Sequence, residues 1–589
     1  MARAGAADTE RAAEEPVSRR RTVARLWQDA VAARTAPVPY LAERDGHWEP
    51  VSWEDAEHAV EQLAHGLLAL GVRKGDAFAI LGNTSVEWVQ FDLALASIGA
   101  IGVGVYMNNS ARDAQYVVEH SEAVGALCED EEQAAKVAPL ALAHMLTFAD
   151  LDDLRARGRE HAQAHPDALA DAARGVGEED VFTYIYTSGT TGPPKGCVIT
   201  HRNYYDMADV VRGLDDFVLQ GDTMLMYLPL AHNFGRLMHL LGPHQGFTLA
   251  FLRDPLRAAD ALLEVRPTVL PSVPRVYEKV HAAVTAKFDE ETGVKRRLIQ
   301  WALRVGYAVS DRVQRGEPIP RGLALQHRIA SRLVYAKVRE RLGGRIRLCI
   351  SGAAPLAPEV IRFFHALDVL ILEGYGLTEC TTAATVNRPT RFRLGTVGPA
   401  LPNVELRLAD DGELLIRSPT VFRGYLKDDE ATREVLTADG WLRSGDIATI
   451  DDDGFVTITD RKKDILVTAG GKNVAPQNLE NELKTFREIS QALVVGDRRP
   501  FVAALLTLDE EATAAHTDEQ RRARVQAIVD TVNRERSRFE QIKKFVILPR
   551  DFTAEEGEIT PTLKLKRNVC LDHFAAEVDA LYDSKNAPK

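Results

Sequence analysis

Helical and extended hydrophobic patterns alternate over the first part of the chain, from about Val51 to Val181. The segment VSWEDAEHAVEQLAHGLLALGV repeats apolar residues at helical spacing. Ser52 is a candidate N-cap for this helix, and Gly71 stands near its expected end. The next run, AFAILG, is short and wholly apolar, as in a strand buried within a parallel sheet. Repetition of this helix–strand unit predicts an α/β architecture with helices on both faces of the sheet.

Further along the chain the pattern changes three times. Residues 275–342 are rich in Arg, Lys, Ala and Leu and predict successive helices, interrupted at GEPIPRG. Between residues 398 and 460, short runs with turn signals predict a small β-rich subdomain. After the charged segment DRKKD, a new α+β pattern includes QALVVG and FVAALLTL. We therefore place a domain boundary at Arg461–Lys463, which divides the chain into residues 1–461 and 462–589.

Composition narrows the class of protein. The 589 residues are 45% hydrophobic and 27% charged, as in an ordinary soluble globular protein. A net charge of -13 argues against a general nucleic-acid binder, which needs a basic excess to displace counterions. The five cysteines form no CxxC pair, which fits a reducing, cytoplasmic setting.

No segment predicts insertion into a membrane. The N-terminal MARAGAADTERAAEEPVSRRRTVARLW lacks the apolar stretch of a signal peptide and is interpreted as a mobile tail leading into a helix. The most hydrophobic segment, 93–107, is too short to span a bilayer of about 30 Å and predicts a buried helix and strand. We expect a cytoplasmic protein, with peripheral contact at the inner face of the membrane left open.

The strongest chemical signal is the loop TSGTTGPPKG after the β-like run VFTYIY. Its glycines allow backbone N–H groups to turn toward a phosphate. Thr187, Ser188, Thr190 and Thr191 add hydroxyl donors, and Lys195 adds positive charge. The loop is not a Walker A motif, because the GxxxxGK[ST] spacing is absent and Gly196 follows the lysine. By itself the loop predicts a polyphosphate site.

This loop and six later segments, in the same order, resemble the signatures of the adenylate-forming superfamily: acyl-CoA synthetases, peptide-synthetase adenylation domains and luciferases. The later segments are LPLAHNFGR (228–236), SGAAPL (351–356), EGYGLTE (373–379), DGWLRSGD (439–446), DRKKD (460–464) and PTLKLKR (561–567). The resemblance implies a large N-terminal domain of two α/β sheet subdomains plus a small β-barrel-like subdomain. A small, mobile α+β C-terminal domain would follow and carry the catalytic lysine.

The same resemblance implies the residues that bind ATP. They are Thr187, Ser188, Gly189, Thr190, Thr191, Gly192, Lys195, Gly352, Ala353, Ala354, Glu373, Gly374, Tyr375, Gly376, Thr378, Asp446, Arg461, Lys463 and Lys564. Tyr375 would stack on the adenine. Glu379 and Thr187 would hold Mg²⁺, which prefers carboxylate, water and phosphate oxygens. Asp446 would accept hydrogen bonds from the ribose, and Arg461 would complete that contact and touch the α-phosphate.

The expected reaction has two steps. The predicted catalytic residues are Lys564, Glu379, Thr187, His232 and Arg461, with Lys564 neutralising charge on the α-phosphate and the attacking carboxylate. His232 would act as a gate near that carboxylate. The C-terminal domain would then rotate about Lys463, withdraw Lys564 and bring Gly470, Gly471 and Lys472 to the tunnel for coenzyme A. ATP, Mg²⁺ and coenzyme A are the implied cofactor and co-substrates.

Three features favour a long-chain fatty acid as the substrate. The helical region 275–344 and the segments ITDRKKDILVTAGGKNVAP and DGWLRSGDIATIDDDGFVTITDRKKD resemble those of long-chain synthetases. The chain stops soon after Arg567, from which we expect free coenzyme A, and not a fused carrier, to be the acceptor. NFGR replaces a bulkier gate sequence, which leaves the preferred chain length open.

Three alternatives remain at this point. The first is a fatty acyl-AMP ligase that loads a separate carrier protein. The second is an adenylating enzyme for another carboxylic acid, such as an aromatic or amino acid. The third is a non-catalytic nucleotide-binding regulator, against which Glu379, Asp446, Arg461 and Lys564 speak together. Saturation of the acid, oligomeric state and pathway role stay open as well.

Overall fold

The computed structural model describes residues 20–187, 193–214, 216–534, 536–560 and 564–583. Two large sheets form the N-terminal part. The first has eight strands in the spatial order Thr385–Val386, Ile371–Tyr375, Leu348–Ser351, Val269–Ser272, Thr223–Met226, Thr248–Phe251, Tyr40–Arg44 and His47–Val51. The second has seven, in the order Gly424–Tyr425, Lys195–Thr200, Val181–Thr187, Ile101–Val105, Ala77–Leu81, Gly125–Cys128 and His144–Thr147. The central strands of both sheets pair in parallel.

Helices connect and cover these strands. The α-helices described are Val23–Ala33, Trp53–Ala69, Val86–Ile98, Ala111–His120, Glu131–Val137, Leu151–Ala164, Ala168–Gly175, His201–Arg212, Asn233–Gln245, Ala258–Val265, Pro274–Glu290, Gly293–Gln314, Arg321–Ala330, Ala336–Arg341, Pro358–Ala366, Asp429–Val435, Pro476–Leu483, Glu510–Thr513, Asp518–Asn533, Arg567–His573 and Ala575–Tyr582. A π-helical turn, Ser331–Tyr335, joins two of them.

The patterns of the first part of the chain are confirmed. Ser52 caps the helix Trp53–Ala69, because its hydroxyl accepts a hydrogen bond from the Asp55 N–H at 3.0 Å. Gly71, just beyond that helix, has a φ of 92°, a conformation that glycine adopts readily. The strand Ala77–Leu81 is buried throughout and pairs in parallel on both sides. The apolar segment 93–107 contains the end of the helix Val86–Ile98 and the buried strand Ile101–Val105.

The Arg- and Ala-rich region is helical, also as predicted. The helices Gly293–Gln314 and Arg321–Ala330 are separated at GEPIPRG. The second of them continues through the π-turn into Ala336–Arg341. Its buried face, which includes Ala330, Val334, Tyr335 and Val338, faces the protein core. The Tyr335 hydroxyl donates to the Ala302 carbonyl at 2.6 Å, which ties this helix to its neighbour.

The β-rich subdomain contains a four-stranded antiparallel sheet. Its strands are Glu405–Leu408, Glu413–Arg417, Leu442–Ile450 and Val456–Arg461. The short strand Gly424–Tyr425 leaves this sheet and pairs with Lys195–Thr200, the strand that follows the phosphate loop. That pairing brings Tyr425 to the site described below.

The C-terminal part has its own sheet, Ile489–Val495, Val502–Leu508 and Ile542–Ile547, and a two-stranded ribbon, Leu466–Val467 with Asn473–Val474. Its buried apolar clusters comprise residues of 466–581, whereas the main N-terminal cluster comprises residues of 23–456. The α/β class with a large N-terminal and a small C-terminal domain is thus confirmed. The boundary at Arg461–Lys463 stays a prediction, and it falls between these cores.

Two further predictions concern the N-terminal end of the chain and insertion into a membrane. The predicted tail lies at residues 1–19, outside the described residues, but the helix that it leads into is present as Val23–Ala33 with Thr22 as its N-cap. Among the described residues, every helix is too short or too polar to cross a membrane.

Candidate active site

The predicted phosphate loop joins two paired strands. Thr187 ends one strand, Lys195 begins the next, and the two residues face each other across the ladder. Ser188, Gly189, Thr190, Thr191 and Gly192 lie outside the described residues. The Lys195 ammonium lies 3.3 Å from an Asp428 carboxylate oxygen and 5.2 Å from the centre of the Tyr425 ring. The Lys195 ammonium, which is expected to bind phosphate, is therefore paired with the half-exposed carboxylate of Asp428.

Glu379, the predicted magnesium ligand, lies in a 3₁₀ turn, Thr378–Cys380, directly after the strand Ile371–Tyr375. Its Oε1 accepts a hydrogen bond from the Tyr425 hydroxyl at 2.7 Å. Gly376 permits this tight turn, because a Cβ there would lie 1.9 Å from the Thr382 carbonyl oxygen. Gly374, by contrast, is part of the strand and pairs with Val386.

The donor set fits a magnesium ion that is shared with a nucleotide. Among the described residues, no group of three or more His, Cys, Asp or Glu side chains converges on a point where an ion could be held. A single carboxylate with one oxygen already hydrogen-bonded, as at Glu379, suits Mg²⁺. This ion keeps water and phosphate ligands and is often held by only one or two protein carboxylates.

Three side chains predicted to contact the nucleoside are in mutual contact. Asp446 and Arg461 face each other on adjacent antiparallel strands, with Arg461 Nε 3.2 Å from Asp446 Oδ1. The Tyr375 hydroxyl donates to Asp446 Oδ2 at 2.6 Å. Burial raises the pKa of Asp446, and the Arg461 charge opposes that rise. Tyr375 therefore orients the Asp446 carboxylate through its hydroxyl, while stacking of its ring on adenine stays a prediction.

The predicted adenine-side loop follows the strand Leu348–Ser351. Ala353 has a φ of 72°, a left-handed conformation that is uncommon for a residue with a side chain. Gly352 approaches the Phe234 ring, and Ala354 is exposed. Such a loop presents backbone groups and a small side chain to any flat ligand.

Glu373 holds this loop from behind. Its Oε1 accepts a hydrogen bond from the Leu356 N–H at 3.0 Å, and the residue is buried. Burial raises the pKa of Glu373 to about 8, so the carboxyl is mostly protonated at neutral pH. This geometry favours a role in positioning the loop over the direct nucleotide contact predicted from sequence.

His232 is the N-cap of the helix Asn233–Gln245, and its Nδ1 accepts a hydrogen bond from the Phe234 N–H at 3.2 Å. Burial, and then the nearby Lys564 charge, lower the pKa of His232 to about 3. The ring is therefore neutral. Because Nδ1 accepts, the proton is assigned to Nε2, which is left to donate to a ligand.

Lys564 reaches the site from the C-terminal domain. The Thr560 hydroxyl accepts a hydrogen bond from the Lys564 N–H at 3.0 Å, and Thr560 N–H returns one to the Lys564 carbonyl at 2.7 Å. Lys564 is exposed to solvent. Desolvation, followed by the Arg461 charge, lowers the pKa of Lys564 to about 8, against the opposing influence of Asp446 and Glu379. The lysine most distant in sequence thus shares one electrostatic environment with the nucleotide residues.

The motif contains two other basic residues, Lys566 and Arg567, whose contacts lie within the C-terminal domain. Arg567 is paired with Glu480 at 2.8 Å and donates to the Val494 carbonyl at 2.7 Å. The Lys566 N–H donates to the Glu558 carbonyl, and Lys566 caps the following helix. The geometry therefore supports Lys564 over both as the catalytic candidate.

The residues predicted for the second half-reaction are not gathered at this site. Lys463 is exposed and makes no side-chain hydrogen bond or ion pair with any residue that the structure describes. Gly470, Gly471 and Lys472 form an exposed turn in the ribbon, where Lys472 N–H donates to the Thr468 hydroxyl at 3.2 Å. Within the described part of the chain, this turn has no hydrogen bond to the nucleotide residues.

Tyr425 and Asp428 were missed by the sequence reasoning. Both stand in FRGYLKDD, a stretch assigned only to the β-rich region, and they reach the site through a two-residue strand in a different sheet. The Gly-Tyr pair ahead of charged residues was the available signal, but nothing in its spacing points to Glu379 or Lys195.

Comparison with known proteins identifies the family to which the chain belongs. The family model for AMP-binding enzymes matches residues 23–426, and the model for the C-terminal domain of AMP-binding enzymes matches residues 463–586. The long-chain-fatty-acid–CoA ligase FadD15 of Mycobacterium tuberculosis is 39% identical over 577 residues, which cover 93% of this chain and 95% of that protein. The rat long-chain-fatty-acid–CoA ligase ACSBG2 is 31% identical, over 96% of this chain and 93% of its own length.

Solved structures share the fold. The adenylation domain of a carboxylate reductase from Mycobacterium chelonae aligns with a TM-score of 0.75 at 23% identity, over 95% of this chain and 91% of that one. ATP-bound MatB from Rhodopseudomonas palustris aligns with a TM-score of 0.66 at 23% identity, over 94% of this chain and 99% of that one.

Proposed function

Because this chain belongs to the AMP-binding enzyme family, we propose that it activates a long-chain fatty acid with ATP and passes the acyl group to coenzyme A. The products are acyl-CoA, AMP and pyrophosphate. The relatives that match over almost the whole chain are named long-chain-fatty-acid–CoA ligases, which favours this reaction over carrier-protein loading or adenylation of other acids. The observation that carries the proposal is the convergence of Lys564 with Arg461, Asp446 and Glu379.

The first step joins a carboxylate to an anionic triphosphate, so catalysis depends on positioning and on compensating charge. Lys564 and Arg461 supply positive charge where the carboxylate meets the α-phosphate. Asp446 accepts hydrogen bonds from the ribose hydroxyls, and the Nε2–H of His232 donates one to the carboxylate of the fatty acid. The described ends of the phosphate loop, Thr187 and Lys195, hold the departing pyrophosphate. Magnesium, held by Glu379 and Thr187, supplies charge neutralisation when bound.

The second step replaces AMP by the coenzyme A thiol. Water must be kept from the reactive acyl-AMP between the steps. We propose that the domain formed by residues 462–589 turns about Lys463 relative to residues 1–461, withdraws Lys564 and presents Gly470, Gly471 and Lys472 to the pantetheine arm. The exposed position of this turn, away from the nucleotide residues, supports the need for such a movement.

Peripheral contact with a membrane belongs to the same proposal, since a long-chain acid partitions into bilayers.

The test is pyrophosphate release across acids of increasing chain length, with and without coenzyme A. We expect release to need ATP and Mg²⁺ and to be strongest with long acids, and we expect thioester and AMP to appear together once coenzyme A is added. Acyl-AMP that persists in the presence of coenzyme A and is consumed only by a carrier protein would instead identify a fatty acyl-AMP ligase. A protein that releases no pyrophosphate with any acid would contradict the proposal altogether.

A further inference from the structure

The helix that begins at Arg321 presents an unusual outer face. Leu325, Ile329 and Leu333 follow one another at intervals of four residues and are 54%, 43% and 47% exposed. Residues at this spacing lie along one side of a helix. The opposite side, which includes Ala330, Val334 and Val338, is buried in the protein core. A stripe of apolar side chains therefore faces solvent, on a helix whose opposite side is already packed against the core.

A basic stripe accompanies it. Arg321, Arg328 and Arg332 are exposed and, at spacings of seven and four residues, line the same side of the helix. Lys337 and Arg341 extend the basic character toward its end and are exposed as well. Over residues 321–341 there are six Lys or Arg against one Glu, in a chain whose net charge is -13. Positive charge is therefore concentrated on this helix, although the chain as a whole is negatively charged.

These five basic side chains are not used inside the fold. None of them forms an ion pair or a side-chain hydrogen bond with any residue in the described ranges. Arg339 shows the contrast, because it is paired with Asp368 at 3.0 Å, and His327 contacts the same carboxylate at 2.9 Å. The inner cations of the helix are neutralised by the protein, whereas the outer ones are available to an external anion.

We propose that residues 321–341 form a docking surface for an anionic lipid bilayer. A helix with a basic polar face beside exposed Leu and Ile residues binds at the headgroup boundary, through apolar burial and attraction to anionic lipids. Each basic residue near such a surface strengthens binding roughly fivefold. An apolar patch alone could serve any partner, but the unpaired arginines next to it complement a surface dense in negative charge.

The experiment is cosedimentation with vesicles, using the full chain and no substrate. Vesicles of phosphatidylglycerol and phosphatidylcholine in equal parts are compared with phosphatidylcholine alone. We expect binding to the anionic vesicles that weakens as salt is raised, because the screening length falls from about 10 Å at 0.1 M to about 3 Å at 1 M. Since no substrate is present, failure here would leave the proposed ligase activity untouched.

Three variants separate the contributions. Reversal of the stripe (R321E, R328E and R332E together) should weaken partition into anionic vesicles by roughly 100-fold or more. Replacement of the apolar stripe (L325Q, I329Q and L333Q together) should also weaken it while leaving the charge unchanged. A matched control reverses three exposed arginines elsewhere (R112E, R157E and R538E together) and should bind like the wild type. Pyrophosphate release with a short, water-soluble acid, measured without vesicles, should be unchanged in all three and shows that they fold.

The proposal is overturned if the wild-type chain ignores anionic vesicles, if the stripe reversal binds as well as the wild type, or if the control loses binding equally. A concentration-dependent dimer that the stripe variants abolish, seen by light scattering, would assign this face to a second copy of the chain and would overturn the lipid assignment too.

Discussion

At Lys564 the protein places an ammonium group within the electrostatic influence of one guanidinium and two carboxylates, and desolvation lowers its pKa. A lysine there contributes to adenylation only while the C-terminal domain keeps it in place. We expect Lys564→Ala to slow acyl-AMP formation by about 100- to 1,000-fold, as when one preorganised charge-stabilising donor is removed. Thioester formation from supplied acyl-AMP should survive, because the proposed rotation withdraws Lys564 before that step.

Both half-reactions can be timed separately by rapid quench, with Lys566→Ala as the matched control. Lys566 belongs to the same motif but lacks the contact with the nucleotide residues, so its loss should leave both rates close to wild type. Equal loss of the two steps in Lys564→Ala would assign the lysine a structural role.

The pH dependence of adenylation follows from the same environment. Desolvation lowers the pKa of Lys564 to about 8 from the usual 10.5. The charged form is the useful one, so kcat/KM for ATP in the free enzyme should be full below pH 8 and fall as pH rises through about 8. Lys564→Arg keeps its charge at higher pH and should shift or remove the falling limb, even if its rate is lower. A wild-type profile that stays flat to pH 10 would contradict this assignment.

Tyr425 orients the carboxylate of Glu379, the proposed magnesium ligand. Its hydroxyl donates to Glu379 Oε1 at 2.7 Å, which leaves the other oxygen to face a ligand. Loss of such an outer-shell hydrogen bond typically costs about 10- to 100-fold in metal affinity or activity. We expect Tyr425→Phe to raise the Mg²⁺ concentration needed for half-maximal pyrophosphate release by that factor, and to weaken Mn²⁺ binding in the presence of a non-hydrolysable ATP analogue, read by electron paramagnetic resonance. An unchanged metal requirement would leave Tyr425 as a packing residue.

At the scale of elements, the helix Asn233–Gln245 carries His232 at its start and is anchored by a buried ion pair. The Arg236 guanidinium binds the carboxylate of Asp92, which lies on the helix Val86–Ile98, and donates to the Thr183 hydroxyl at 2.6 Å. Both charged residues are fully buried. Gly102 makes room for them, since a Cβ there would lie 2.6 Å from Asp92 Oδ1. The arginine of NFGR thus fixes the helix that positions His232.

Arg236→Met should therefore destabilise the protein by about 3–5 kcal/mol, because it leaves the buried Asp92 carboxylate with only the His239 ring, 3.5 Å away, in place of a guanidinium. The double variant Asp92→Leu/Arg236→Met removes both charges and should recover most of that loss. Urea unfolding measures both. If the double variant is as unstable as the single one, the contact is not a coupled ion pair.

Sequence reasoning performed unevenly across these elements, for physical reasons. Periodicity and capping placed Trp53–Ala69, Ala77–Leu81 and the helices of the 275–342 region, because each is specified by neighbours along the chain. Segments that resemble family signatures supplied Glu379, Asp446, Arg461 and Lys564. Tyr425 was out of reach, since its partner strand lies more than 200 residues away in the chain. Asp92 was missed likewise, because only the packing of two helices shows that Arg236 needs a buried acid.

At the scale of the whole molecule, two domains with separate cores share one active site. Residues 466–581 form their own apolar clusters, yet Lys564 projects from them toward Asp446 and Arg461. The helix Pro274–Glu290 adds a contact between the two parts, because Arg275 donates to the Ser490 hydroxyl at 3.3 Å. Polar contacts of this kind permit one domain to turn against another, as the proposed transfer to coenzyme A needs.

A rigid hinge should consequently separate the two half-reactions. Lys463 lies in a turn, its φ is not positive, and its N–H makes no backbone hydrogen bond to the described residues, so proline there removes no such bond. Because proline fixes φ near −65°, Lys463→Pro should resist the rotation and slow thioester formation. A misplacement on the order of 1 Å can cost about 100-fold. Acyl-AMP formation should continue at nearly the wild-type rate, since the structure already holds Lys564 at the nucleotide residues.

Lys463→Ala is the matched control for this hinge, because it removes the side chain and leaves the backbone free. If rotation is what matters, the alanine variant should complete both steps, and acyl-AMP should accumulate only in the proline variant when coenzyme A is present. If alanine instead impairs adenylation, the Lys463 ammonium contacts the nucleotide, as its place among the predicted ATP ligands implies. Were proline to leave both rates unchanged, the pivot would lie elsewhere, and Lys462 would be the next position to test, because its ammonium lies 2.5 Å from Asp411 and 3.1 Å from Glu413 in the N-terminal domain.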